Sequence, residues 1–209
     1  MPLIRKDPAP TSATDTSGSR DNLKSADIDT RWTAARQLAK DPSNATALGD
    51  ALAVETDARV RQALFTSLAH IRTPDAVGAI LTHLRSADAA TRAGALDALS
   101  SVPQAVESQL PKLLADPDPD VRLLICDIVR RLPGPLACRY LCDLLAHETQ
   151  ANVCGAAVDA LSEVGDRTAL PILADCAARF STEPFLAFSI KIASNRIAGD
   201  GRARDPKAP

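Results

Sequence analysis

Aromatic residues are nearly missing from this sequence: one tryptophan, one tyrosine and four phenylalanines make up 3% of 209 residues. That scarcity, with alanine and leucine abundant, sets a β-sandwich aside and favours closely packed helices. A long apolar run is missing too. No stretch approaches the roughly 18 apolar residues of a membrane span, and the N-terminal Met1-Pro-Leu-Ile-Arg-Lys-Asp-Pro has no signal-peptide core. The chain is therefore expected in the cytoplasm, away from membranes. Neither sign of charge dominates: 24 Lys and Arg face 26 Asp and Glu, for a net charge of −2. Without a positive field, nucleic acid is not an expected partner. The five cysteines are an odd number and form no Cys-x-x-Cys pair, so they read as reduced, apolar-packed thiols and not as a disulfide framework or metal site. No Ser/His/Asp set, P-loop or dinucleotide-binding glycine motif occurs, so no catalytic, cofactor-binding or metal-ligating residue is assigned.

What is present is a repeat. An acidic residue followed four positions later by arginine opens each unit: Asp27/Arg31, Asp57/Arg61, Asp88/Arg92 and Asp118/Arg122, with spacings of 30, 31 and 30 between arginines. Two degenerate copies follow, with Cys154 and Leu186 where the arginine stands. A fixed period of this length marks units that bury their apolar faces only by stacking on neighbours. With 45% hydrophobic and 24% charged residues the chain has the apolar content for an extended core.

Two helices per unit are expected. The second, B helices begin at the acidic phrase and cover Ile28 to Lys40, Ala58 to Arg72, Ala89 to Val102, Pro119 to Leu132, Ala151 to Val164 and Glu183 to Ile197. Aspartate before a helix accepts hydrogen bonds from its first amides, and Pro119 sits in the first turn, where a missing N–H costs nothing. The first, A helices are expected near Asp21 to Ser25 and over Asn44 to Glu55, Pro74 to Arg85, Pro103 to Ala115, Pro135 to His147 and Thr168 to Ser181. Residues 1–18 and 198–209, rich in small polar residues, proline and glycine, read as tails around a repeat region 19–197.

The phrase Asp-x-x-Val-Arg-x-x-Ala-x-x-Ala-Leu resembles the short HEAT class, also called PBS-lyase HEAT-like repeats. The resemblance implies an all-α, right-handed α-solenoid of about six two-helix repeats, with the A helices convex and the B helices concave. It implies an architecture and names no partner. Within it, the aspartates are expected to cap helices and the arginines to reach acids or carbonyls in their own or the next repeat.

Counted from the arginine, the seventh position (Leu38, Leu68, Leu99, Val129, Leu161, Ala193) forms the core row, and the third (Ala34, Leu64, Ala95, Ile125, Ala157, Ser189) is small in half the copies, which lets neighbouring helix pairs approach closely. Position five (Arg36, Thr66, Asp97, Asp127, Asp159, Lys191) and position one (Trp32, Gln62, Ala93, Leu123, Gly155, Ala187) then point away from the core. The candidate partner-binding residues are Trp32, Arg36, Gln62, Thr66, Asp97, Leu123, Asp127, Asp159 and Lys191. Three central aspartates beside short or apolar residues suit a basic or amphipathic segment of another protein. The function expected is a non-enzymatic interaction scaffold or regulatory adaptor. The alternative is a cofactor-linked or enzymatic HEAT-like protein, bilin-lyase-like or metal-dependent-hydroxylase-like. His147-Glu148 resembles one His-Glu pair of the di-iron deoxyhypusine hydroxylase, but His70 and His83 are followed by Ile71 and Leu84, so the rest of that ligand set is absent.

Overall fold

The computed structural model of the chain describes residues 16–203, and among these it contains helices, turns and no strand. Of the tails expected at 1–18 and 198–209, residues 16–18 belong to the first helix and 198–203 extend the last one; the rest lies outside the described residues. Six A/B pairs follow one another: α1 (Thr16–Asn22) with α2 (Ile28–Leu38), α3 (Ala45–Val54) with α4 (Ala58–Ile71), and α5 (Pro74–Leu81) with α6 (Ala89–Ser100). The fourth A element is broken into α7 (Pro103–Val106) and α8 (Leu110–Leu113) before α9 (Pro119–Val129). Then come α10 (Gly134–His147) with α11 (Ala151–Val164), and α12 (Leu170–Arg179) with α13 (Pro184–Ala203). Each B helix packs on the next, α2 on α4 through to α11 on α13, and against the A helix of its own pair. The fold is an all-α solenoid. No helix among the described residues is long and apolar enough to cross a membrane.

Local chemistry explains where the helices start and break. Asp27 accepts from the Thr30 amide at 2.8 Å, and Asp57 from those of Arg59 and Val60 at 2.9 and 3.0 Å. Asp88 does the same for Ala90 and Thr91, and Asp118 for Asp120. These oxygens satisfy amides that lack a partner in the first turn. Pro111 explains the break between α7 and α8: it has no N–H to donate, and its ring opposes the carbonyl one turn earlier. A 3-10 turn, Glu107–Gln109, bridges the gap. The first helix comes earlier than expected, at Thr16–Asn22, and residues 23–25 only close it, with three-residue hydrogen bonds back to Arg20, Asp21 and Asn22.

The core is a continuous apolar strip between the two helix layers. The position-seven row is buried in the first five units, from Leu38 and Leu68 to Leu161. Each fully buried leucine there contributes about 2 kcal/mol. Position three is buried in the first five units, as Ala34, Leu64, Ala95, Ile125 and Ala157. Beside that row, at position two, a Cβ placed on Gly94 lies 3.1 Å from ring carbons of Phe65 in the preceding B helix, so neighbouring B helices come close there.

The last unit departs from the expected register. Ser189, at the third position, is exposed, while Leu186, Ile190, Ala193 and Ile197 are buried. That spacing reproduces Val153, Ala157, Ala160 and Val164 of α11, so the arginine position falls at Ala187 and not at Leu186. Ile192 and Phe188, not Lys191 and Ala187, continue the two outward rows. Lys191 moves to the flank that in inner repeats packs on the next unit, as Phe65, Cys126 and Val158 do, and here it is exposed.

Candidate partner-binding face

The Asp/Arg signature is structural hardware. Arg31 grips Glu55 with two parallel hydrogen bonds, Nε to Oε2 at 2.8 Å and Nη2 to Oε1 at 3.0 Å. Its third nitrogen donates to the carbonyls of Ser25 and Ala26. Arg122 repeats this with Glu148 at 2.7 and 2.9 Å and with the Asp116 and Pro117 carbonyls. Each glutamate also caps the next B helix, Glu55 through the amides of Thr56 and Asp57 and Glu148 through those of Thr149 and Gln150. One guanidinium thus ties its own entry loop to the next unit. The hydrogen bonds from Arg31 hold the Glu55 carboxyl below its usual range. Burial alone raises that of Glu148, but Arg122 and the two amides outweigh it and the net direction is down.

The glutamates belong to a row that the sequence reading passed over. Glu55, Arg85, Asp116, Glu148 and Arg179 recur at the ends of the A elements with the period of the repeat. Arg85 pairs with Asp116 in the next unit. Arg179 donates to the carbonyls of Glu148, at 2.9 Å, and Leu145. The visible signal was a charged residue 24 to 26 positions after each arginine position, acidic in three copies and arginine in two. Glu148 is therefore committed, and neighbouring His147 turns its Nδ1 to the Asp143 carbonyl, 3.2 Å away. All five cysteines are free thiols. Burial pushes the Cys126 thiol up to about 12, and burial beside Cys138, whose sulfur is 4.0 Å away, pushes Cys142 up to about 12.

The outward B-helix face carries the candidate residues. Trp32, Arg36, Gln62 and Thr66 line one cleft of about 570 Å³ with Lys40, Arg59 and His70. Gln62, Thr66 and Asp97 share an adjoining cleft of about 410 Å³. Trp32 is half-buried; the Arg36 and Arg59 guanidinium carbons stand 4.7 and 4.9 Å from its ring centroid. Arg59 pairs outward with Asp29 at 2.6 Å. The Thr66 hydroxyl donates to the Gln62 carbonyl.

Farther along, the acidic row divides. Arg130 reaches Asp127 at 2.6 Å and both Asp159 and Glu163 at 3.4 Å. Two of the three aspartates are thus bridged by one cation from within the chain, while Asp97 is exposed and, among the described residues, makes no ion pair. Leu123 is half-buried beside them. Lys191 does not join this face, for the register reason above. In its place are Phe185, Phe188 and Ile192, which are 89%, 66% and 50% exposed.

Residues 106–183 match the family model of HEAT repeats. The two-helix unit seen there recurs on both sides, so the described residues form a solenoid of units similar to HEAT repeats. No curated protein matches the chain. Among solved structures, an engineered protein of the Northeast Structural Genomics Consortium is 20% identical, covering 88% of this chain and 98% of that one at a TM-score of 0.41. A designed armadillo repeat protein is 15% identical, covering 88% and 100% at 0.39. The complex of CpcE and CpcF of phycocyanin lyase from Nostoc sp. PCC7120 is 17% identical, covering 94% and 100% at 0.40. Likenesses this distant transfer no ligand or partner.

Proposed function

We propose that this chain is a non-enzymatic interaction scaffold that holds a segment of another protein along its B-helix face. The observation that carries the reading is the pair of adjoining clefts across α2, α4 and α6, which gather Trp32, Arg36, Gln62, Thr66 and Asp97 on one surface. Signature arginines tie the units together and leave this face to the side chains that vary from copy to copy. Asp97 is the acid to which a lysine or arginine of the partner docks, since Arg130 already answers Asp127 and Asp159. Trp32 supplies apolar contact, in the manner of aromatic anchors at interfaces. The free thiols suit a reducing compartment, and we place the protein in the cytoplasm.

Affinity purification with mass spectrometry identifies a partner, and titration of the purified pair then tests the face. Charge reversal of Asp97, Asp127 and Asp159 together abolishes binding with the helical circular-dichroism signal intact, and Asp97→Lys alone accounts for at least tenfold of the loss. Undiminished binding by the folded triple variant sinks the proposal.

A further inference from the structure

The lining of the first cleft has a sign of its own. Its charged side chains are Arg36, Lys40 and Arg59, joined by titratable His70, and no carboxylate lines it. The one acid nearby, Asp29, meets Arg59 but is not among the lining residues. A guanidinium over an aromatic ring can still donate to a carboxylate; Arg59 does so to Asp29, and Arg36 has no ion pair among the described residues. The second cleft, by contrast, contains Asp97. Along the N-terminal half of the face the charge therefore runs from cationic and aromatic at α2 to anionic at α6.

We infer that the cleft around Trp32 takes an acidic segment of the partner protein, with glutamate or aspartate on Arg36 and an adjacent apolar side chain against Trp32. This deepens the scaffold reading and rests on it. The α2 and α6 positions are two helix spacings apart, roughly 20 Å at 8–10 Å per packed helix pair. An extended chain covers that in about six residues, so the partner segment carries acid and base about six residues apart.

Trp32, the sole tryptophan, reports on the cleft directly. The probes are a twelve-residue end-capped peptide of glutamates around a central leucine, its lysine counterpart, and a glutamate–leucine peptide with one lysine six residues away. The glutamate peptide produces a saturable change in tryptophan emission that falls with added salt, and the lysine peptide produces none. Arg36→Glu weakens the glutamate peptide at least tenfold and Arg36→Gln less, while Arg139→Glu on α10 leaves it unchanged. Asp97→Lys weakens the mixed peptide at least threefold and spares the all-glutamate one. Equal response to both homopolymeric probes, or a glutamate response indifferent to Arg36→Glu in a folded variant, overturns the acidic-segment inference. If those results hold while the partner ignores the triple charge reversal, the scaffold reading fails instead, and the cleft's preference for acids stands.

Discussion

At the joint after the fourth B helix, Arg122 holds the carbonyl of Asp116 and the carboxylate of Glu148. One unit later, Cys154 stands in the arginine's place, completely buried, with its sulfur 3.9 Å from the Glu148 carbonyl. Arg179, which occupies the position of the glutamate, donates to that same carbonyl. The two joints satisfy equivalent backbone oxygens from opposite ends. In the first five B helices a cation meets the entry loop, Arg31, Arg61, Arg92 and Arg122 from the helix itself and Arg179 from the next unit, because carbonyls outside the helix need a partner. Which residue delivers it is free to change. The signature that fades in the sequence has moved in space.

Substitutions at these joints separate the two solutions. The largest effect is expected for Cys154→Arg, which puts a second guanidinium beside Arg179 in a buried slot and costs more than about 3 kcal/mol. Cys154→Arg with Arg179→Glu restores the arrangement of the Arg122 joint, and thermal unfolding of the double variant should lie above that of Cys154→Arg alone. Equal or lower stability of the double variant breaks the equivalence. Glu148→Ala leaves Arg122 half-enclosed without its partner and is expected to cost about 3 kcal/mol by chemical denaturation. Arg179→Ala removes hydrogen bonds to two carbonyls and a contact with the Phe180 ring, but no carboxylate partner, an effect of about 1.5 kcal/mol; a loss matching that of Glu148→Ala shows the second joint to be as dependent on charge as the first.

Acid should act on the two kinds of joint differently. Glu55 and Glu148 have depressed carboxyl pKa values, so their stabilisation is present above the unfolded value of about 4.3 and is lost as pH falls through the lower folded value. The Cys154 joint contains no such carboxylate pair and contributes nothing to that slope. His83 acts in a separate window. Burial, reinforced by Arg61, lowers its pKa, so the neutral ring packed edge-on against Phe65 at 5.6 Å is stable above the ordinary histidine value of about 6.5. Its contribution declines as pH falls from there toward the folded value. The smallest predicted effect is accordingly that His83→Gln flattens the stability profile just below the ordinary histidine value of about 6.5, as followed by urea unfolding.

Much of the fold was readable because it repeats. Four aspartates at helix starts, four arginines and a row of buried Leu and Val recur at one spacing, and each copy makes the same local demand. The candidate face was readable only in part. Trp32, Arg36, Gln62, Thr66 and Asp97 are gathered as their spacing suggests, yet the cations that decide its chemistry come from elsewhere: Arg59 lies two positions before Arg61, and Arg130 eight after Arg122. Neither lies on the two rows counted from the arginine. The last register slipped because Leu186 and Ala187 both suit a small apolar slot, and only burial against α11 distinguishes them.

The sequence by itself determined the class of protein, the unit length, the caps and the core row. Those follow from hydrogen bonds and periodicities that act within a few turns of one helix. Only the tertiary structure decided which charges meet: Arg179 with the loop before α11, Arg130 with Asp159, and Arg36 and Arg59 with one tryptophan. Long charged side chains reach across neighbouring repeats, and their partners are set by the stacking of whole helices, which no single helix specifies.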